Sequence, residues 1–290
     1  MIENINVPSG KNIVEKKYSV LMTVYKKDVL NQFVKALDSI ISQTQYPNEI
    51  ILVADGPISL EIEKEIKKYQ ESHEIIKFYK IKKNIGLGNA LNFGLFKTNY
   101  DYVMRMDSDD YSDPQRAAKL IDELSKNSVS VVGSYVAEFV NEPQLAKVFI
   151  KYPLRMCGIK LYHYFRDPIG HASVMFKKKN VIESGGYLDC NLFEDTYLWL
   201  RMAKKGFSFK SIQENLYFAR TGNDFIDRRG GLKYLSLEIG HFLKFYKEEL
   251  ISVWSLLLNL SFRPLIRLLP KKILKIIYLY ALRKKLINLN

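Results

Sequence analysis

The 290-residue chain reads as an α/β domain: a mostly parallel central sheet flanked by helices, followed by a basic helical tail. Three observations predict this. Short apolar, β-rich runs alternate with stretches of helical spacing, the pattern of βαβ units. Polar residues stand just after four of those runs, where open α/β sheets bind their ligands. The composition, 47% hydrophobic and 26% charged, is that of a folded globular chain and excludes disorder.

Residues 1–17 are polar and read as a loose arm. Tyr18 to Tyr25 (YSVLMTVY) is continuously apolar, as a strand covered on both faces must be. Leu30, Phe33, Leu37, Ile40 and Ile41 recur at helical spacing between Asp28 and Ser42. Glu49 to Ala54 is a second strand, stopped by Asp55-Gly56-Pro57, and Leu60 to Tyr69 is a helix with Ile62 and Ile66 on one face. Ile75 to Tyr79 is the third strand, Leu87 to Phe96 a helix and Tyr100 to Met106 the fourth strand. Pro114 suits the first turn of the next helix, where its missing N–H would have no partner anyway. Val129 to Val136 is the fifth strand. Beyond it the pattern loosens: His171 to Phe176 and Leu216 to Arg220 read as strands, Asp195 to Lys204 and Gly230 to Glu248 as helices.

The formal charge of +13 points to an anionic partner: nucleic acid, an acidic lipid surface or a phosphorylated substrate. Its placement selects among them. No acidic residue follows Glu249, and eight Lys and Arg lie between Arg263 and Lys285, interleaved with Leu, Ile and Tyr. Ile273, Ile276, Ile277 and Tyr280 share a helical face, with Lys271, Lys272 and Lys275 largely elsewhere. Residues 250–290 are therefore expected as a basic amphipathic tail whose segment 263–285 lies on an anionic membrane. A helix docked on the domain, with a solvated basic face, is the competing reading. The longest apolar run, Leu250 to Phe262, is too short and too often broken by Ser and Asn to span a bilayer. The N-terminus has no apolar signal-peptide core. Cys157 and Cys190 lack metal-ligand spacing and read as free thiols of a reducing compartment.

The strongest cluster is Asp107-Ser108-Asp109-Asp110. If the chain stays extended beyond its strand, side chains at i and i+2 share a face. Asp107 and Asp109 then converge, and two carboxylates suit a hard divalent cation whose other positions go to water and phosphate oxygens. An Asp-rich turn ahead of a helix accounts for these residues equally well. Asp195, after Glu194, stands at a helix start, which favours an ionised carboxylate fit to be a base, and equally an N-cap. Lys83 to Gly94 (KNIGLGNALNFG) turns through glycines into a helix. It is neither G-x-G-x-x-G nor a P-loop, yet backbone amides around Asn84 and Gly86 can approach a diphosphate. Asp55 can accept hydrogen bonds from a nucleobase or close a turn. His171 and Arg220, at the ends of short strands, decide nothing alone.

In this order and spacing the features resemble family 2 of the glycosyltransferases, with a GT-A fold. Thr23-Val24-Tyr25 is similar to the family's P-V-Y-N, and Val53-Ala54-Asp55-Gly56 to its V-D-D-G-S. Asn84-x-Gly86 to Asn92-x-Gly94 is similar to its N-x-G…A-R-N-x-G. Asp107-Ser108-Asp109-Asp110 and Glu194-Asp195 follow, and the match covers roughly Tyr18 to Met202. His171-Ala-Ser-Val-Met-Phe, Gly185-Gly186-Tyr187, Arg220 and Arg228-Arg229-Gly230-Gly231 resemble the bacterial enzymes of capsule, exopolysaccharide and O-antigen assembly. Leu91 stands where many relatives have Arg, and Lys26 where they have Asn. No Q-x-x-R-W is present, so the likeness to processive synthases is poor.

The resemblance implies a catalytic domain over 18–249, with a nucleotide-sugar half (18–136) and an acceptor half (137–249). It implies an inverting, metal-dependent hexosyltransferase using Mn²⁺ or Mg²⁺. Thr23, Tyr25 and Asp55 are assigned to the nucleoside, with Asn84 and Gly86 nearby. Asp107 and Asp109 take ribose, diphosphate and metal. Asp195 is the base and Glu194 orients the acceptor. His171, Arg220, Arg228 and Arg229 are candidate phosphate or acceptor contacts. The expected partners are a nucleotide sugar, most simply a UDP-sugar, and a polyprenyl-diphosphate-linked saccharide, at the inner face of the cytoplasmic membrane. A sugar-phosphate nucleotidyltransferase would need a G-x-G-T-R loop where this chain has TVYKKD. A nucleic-acid-binding protein would carry its charge and exposed aromatics on a domain face rather than in an apolar tail.

Overall fold

The computed structural model describes residues 16–126, 129–146, 148–154, 167–221, 231–270, 273 and 284–285. Strands β1 (Tyr18–Val24), β2 (Glu49–Asp55), β3 (Ile76–Ile81) and β4 (Tyr102–Met106) are parallel and lie side by side in the order β3-β2-β1-β4. Helices α1 (Leu30–Ile41), α2 (Leu60–Ser72) and α3 (Leu87–Lys97) connect them. β1 and β2 are buried along their whole length and largely apolar because both faces are covered. Val20, Met22, Ile50 and Leu52 pack with Phe33 and Leu37 of α1, Ile66 of α2 and Leu120 of α4 (Arg116–Lys126). Leu21, Ile51 and Val53 face the other way, toward Leu91 and Leu95 of α3 and Trp199 of α6 (Glu194–Lys204). Because β4 joins β1 on the side away from β2, the strand order reverses between β1 and β4. A crevice opens beyond their carboxyl ends, as such a switch point requires.

The sheet continues past β4 with reversed polarity. β8 (Met175–Lys177) pairs antiparallel with β4, β6 (Val131–Phe139) with β8, and β7 (Val148–Ile150) with β6. β9 (Phe209–Arg220) runs parallel to β6 and also takes the two-residue β5 (Tyr111–Ser112) as an antiparallel partner. The strand expected at Leu216–Arg220 is thus the end of a longer one, whose polar start (FKSIQEN) hid it from an apolar-run reading. The expected strand at His171–Phe176 begins instead with a 3₁₀ turn at His171–Ser173. There the Ser173 hydroxyl donates to the Gly170 carbonyl at 2.9 Å, a local closure that competes with ladder pairing.

Helices α5 (Lys178–Glu183), α6, α7 (Leu232–Lys247) and α8 (Val253–Arg267) complete the chain's described helical part. The division expected at 249/250 falls between α7 and α8, yet these pack as a pair. Phe242, Phe245, Leu256 and Leu260 share one apolar cluster with Phe193 and Leu200 of the preceding domain. Part of the expected amphipathic tail over 263–285 falls on described residues. Arg263 and Arg267 form the last turn of α8, and Lys284–Lys285 form β10, antiparallel to β7. Both arginines turn toward Glu238 on α7, whose side chain is 1% exposed. Arg267 donates to it through Nε and Nη2 at 2.9 Å each, and Arg263 through Nη1. A carboxylate so buried is costly without such partners, and it draws two of the tail's charges inward. Lys271, Lys272, Lys275, Ile276, Ile277 and Tyr280, like Cys157, lie outside the described residues. Among the described residues no helix is long and apolar enough to cross a membrane.

Burial alone would raise the Glu238 carboxyl, but the bonds to Arg267 and Arg263 outweigh it and hold the group below the usual carboxylate range. A folded-state pKa below the unfolded one stabilises fully above about pH 4.3, and the contribution is lost as pH falls through the folded value. Glu238→Gln should therefore cost about 3 kcal/mol at neutral pH, the low end for a broken buried pair because the guanidiniums keep some water. Urea denaturation should show the gap between the variant and the parent closing as the pH drops through 4.

Candidate active site

Three loops meet at the switch point. Thr23 is buried at the end of β1, and Tyr25 is partly exposed beyond it. The Tyr25 amide donates to Asp28 Oδ2 at 2.9 Å, and Ser108 Oγ donates to the same oxygen at 2.7 Å. Asp28 therefore ties the loop after β1 to the loop after β4. Burial pushes its carboxyl up to about 6, with the Ser108 and Tyr25 bonds opposing and Asp109 and Asp107 adding to the rise.

The chain does not stay extended through the Asp cluster: Ser108 and Asp109 form a turn. Alternation nevertheless survives. Ser108 and Asp110 are buried, whereas Asp107 and Asp109 are only half-buried. Asp110 explains the inward set, because it accepts from the Tyr217 hydroxyl at 2.6 Å and the Arg220 amide at 2.7 Å, both on β9. Its carboxyl is raised well above the usual range by burial first and by Asp109 and Asp107 second. Asp107 accepts from Arg105 Nη2 at 2.5 Å, and its amide meets the Tyr217 hydroxyl at 3.3 Å. Asp107 and Asp109 are thus the members of the cluster on the open side. Among the described residues no three His, Cys, Asp or Glu converge. A pair of carboxylates fits the kind of site in which a divalent cation keeps waters and substrate phosphates as its other ligands.

Asp55 ends β2 and is nearly buried. Its carboxylate accepts from Asn84 Nδ2 at 2.7 Å, the Ile85 amide at 2.7 Å and the Gly86 amide at 3.1 Å. Asp55 and Asn84 therefore act on each other: the carboxylate moulds the glycine turn, and Gly86, at φ 89°, leads into α3 as its N-cap. An L side chain rarely adopts that φ. The turn leads into the N-terminus of α3, and a helix N-terminus is a ready anion site.

The second half of the molecule closes on the same spot. A Cβ on Gly88, in the first turn of α3, would lie 3.1 Å from Glu194 Cβ. The missing side chain is what lets α6 begin against α3. Asp195 accepts from the Thr196 amide at 2.7 Å at the start of α6. Burial raises the Glu194 carboxyl, partly offset by its own backbone hydrogen bond and Arg105, while Asp107 and Asp189 add to it. Burial likewise raises the Tyr187 hydroxyl, which feels Arg105, Asp195, Glu194 and Asp107 together. Asp107 and the Glu194-Asp195 pair, distant in sequence, thus act electrostatically on the same hydroxyl.

His171 and Arg220 stand differently. His171 Nε2 lies 3.0 Å from the Tyr187 hydroxyl, and its ring packs on Tyr187 and Trp199. Burial, then Arg105, push its pKa well below the ordinary value, so the ring is neutral. Arg220 Nε donates to the Asp109 carbonyl at 2.8 Å and Nη1 to the Val140 carbonyl at 3.0 Å. Its described bonds hold the Asp turn in place. Arg228 and Arg229 lie outside the described residues. Sequence reasoning missed Asp28, Arg105 and Tyr217. Arg105 did leave a signal, a cation inside an otherwise apolar strand (YVMRM), which demands a buried partner.

The family model described as Glycosyl transferase family 2 matches residues 19–181. The chain is 36% identical over 269 residues, 92% of itself and 97% of the relative, to a UDP-Gal:alpha-D-GlcNAc-diphosphoundecaprenol beta-1,3-galactosyltransferase of Escherichia coli. It is 30% identical over 263 residues, 90% of itself and 97% of the relative, to the amylovoran biosynthesis glycosyltransferase AmsE of Erwinia amylovora. Among solved structures it resembles the mannosyltransferase PcManGT of Pyrobaculum calidifontis in complex with GDP-Man and Mn²⁺, at TM-score 0.60 and 17% identity over 91% of this chain and 81% of that one. It also resembles S. aureus TarS 1-349 in complex with UDP-GlcNAc, at TM-score 0.60 and 15% identity over 85% and 73%. At such identities the structures establish the fold, the GT-A fold expected from the motifs.

The moulding role of Asp55 has a direct readout. Asp55→Ala removes the acceptor of the Ile85 and Gly86 amides, each bond to a charged group being worth about 1.5–3 kcal/mol. Amide exchange at Ile85 and Gly86 should accelerate by roughly 10- to 100-fold on that scale, with protection in β1 and β4 unchanged.

Proposed function

The chain belongs to glycosyltransferase family 2, and we propose on that premise that it is an inverting, metal-dependent hexosyltransferase. In this reading it moves a hexose or N-acetylhexosamine from a UDP-sugar to a sugar hydroxyl of a polyprenyl-diphosphate-linked oligosaccharide during synthesis of a bacterial surface polysaccharide. The observation that carries it is the approach of Glu194, at the start of α6, to Gly88 in the first turn of α3, with Asp107 and Asp109 on the open side of the turn after β4. One constellation supplies a place for a diphosphate and, next to it, a carboxylate for the acceptor. The E. coli and Erwinia amylovora relatives, by their names, favour the substrate class.

Thr23, Tyr25 and the Asp55–Asn84–Gly86 turn border the nucleoside, with Asp55 acting chiefly by shaping the turn. Amides at the start of α3 face the diphosphate. Asp107 and Asp109 are the residues that would hold Mn²⁺ or Mg²⁺, which when bound offsets the charge growing on the departing diphosphate. The acceptor oxygen attacks the anomeric carbon from the face opposite the diphosphate. The bond from that carbon to the diphosphate oxygen breaks, UDP leaves, and Asp195 takes the acceptor proton. A helix N-terminus favours a negative side chain such as Asp195 there. Glu194, pressed against Gly88, orients the acceptor. Arg105 holds Asp107 to one position from below. The lipid-linked acceptor places the enzyme peripherally at a membrane surface.

A nucleotide-sugar panel with an undecaprenyl-diphosphate GlcNAc acceptor tests the reading, UDP-Gal being the first donor to try. Asp195→Asn should lower kcat by about 10²–10⁴-fold, the scale of one positioned base, and normal turnover by that variant would remove Asp195 from the role. With Asp109→Ala, stimulation by Mn²⁺ should disappear. Transfer by that variant at full rate in the presence of a chelator would exclude the metal assignment.

A further inference from the structure

α8 is apolar on two opposite faces, and only one of them has a use inside the molecule. Leu256 and Asn259 are buried toward α7, where Arg263 and Arg267 meet Glu238. On the other side Trp254 is 71% exposed, Leu257 49%, Phe262 53%, Leu265 67% and Leu268 56%. Trp254, Leu257, Leu265 and Leu268 recur at helical spacing, so they form one stripe along a helix about 22 Å long. An outer stripe of this size on a helix already docked by its inner face marks an interaction surface.

Charge identifies the occupant. No carboxylate follows Glu249 in the sequence, so the stripe carries no negative side chain. The two arginines of α8 are turned inward onto Glu238. The chain leaves α8 through Pro270 directly into Lys271, Lys272 and Lys275. Trp, Phe and Leu on one helical face, next to lysines and away from any acid, is the composition of a helix that lies in a bilayer interface. We propose that the outward face of α8 is a docking surface for an anionic lipid bilayer. This rests on the proposed lipid-linked acceptor for its purpose and extends the membrane contact expected of 263–285 back to Trp254 and Leu257.

The test uses the full chain with vesicles of phosphatidylcholine, alone or mixed with phosphatidylglycerol. Flotation with the anionic vesicles, weakened by salt, is expected, together with quenching of Trp254 by brominated lipid. Trp199 is fully buried, so it does not report bilayer contact. The double variant Trp254→Ser, Leu265→Ser alters only exposed side chains and should keep the parent's melting temperature. Its vesicle binding should fall at least tenfold. Absence of flotation by the parent, binding unchanged in the variant, or no quenching of Trp254 would overturn the proposal. So would a dimer in solution that the same variant dissociates, which would assign the stripe to a second copy of the chain. Transfer to a water-soluble short-chain acceptor should be equal in parent and variant. Loss of transfer with vesicle binding intact would instead count against the proposed reaction and leave the surface standing.

Discussion

The carboxylate of Asp110 holds the two halves of the molecule together. It lies beneath the Asp turn and takes the Tyr217 hydroxyl and the Arg220 amide from β9, a strand that arrives more than a hundred residues later. That anchor fixes Asp110 as an inward residue of the turn, as the bond to Asp28 fixes Ser108. β5 pairs with β9 immediately after it, with Tyr111 opposite Phe218 and Ser112 opposite Tyr217. Arg220 then crosses back to the Asp109 carbonyl. A buried carboxyl is expensive unless hydrogen-bonded, and this one is bonded from both available directions. The outward placement of Asp107 and Asp109 follows from that inward commitment.

The centre also contains two fully buried arginines. Arg105 is held by Asp107 and the Met106 carbonyl, whereas Arg116 donates to the Arg105 and Ala172 carbonyls and lies over the Tyr217 ring at 4.7 Å. Burial pulls Arg116 down to about 10. Such guanidiniums offset the carboxylates of Asp107, Asp110 and Glu194, which would otherwise repel one another and a diphosphate. Burial first, and Arg105 second, keep His171 neutral. A neutral imidazole bonded to Tyr187 and packed on Trp199 is a packed residue of this centre.

The parallel half was legible because its signal is local. A strand buried on both faces must be apolar throughout, so YSVLMTV and EIILVA announced β1 and β2, and helical spacing announced α1 between them. The ends of those strands then pointed to Asp55 and Asp107 by topology alone. The later half was less legible because its pairings are remote. β9 starts in polar residues, and its order comes from lying beside β6. Sequence shows the cation of Arg220 but not the carbonyls of Asp109 and Val140 that take its protons. The structural role of Asp55 was hidden for the same reason. Its three donors lie some thirty residues ahead, in a turn whose shape depends on it.

The tail obeys the rule that governs Asp110. Glu238 is almost completely buried, and its nearest available cations are Arg263 and Arg267, one and two helical turns along from the contact made by Leu260. Once they turn inward, helical periodicity forces the residues between them and before them to turn outward. These are Leu257, Phe262 and Leu265, not lysines. Total charge could not disclose this, because a count of eight basic residues between 263 and 285 treats the inward pair and the remaining lysines alike. Only the position of one acid on the neighbouring helix separates the charges bound within the fold from those left to meet a partner, and it does so while leaving an apolar face outward.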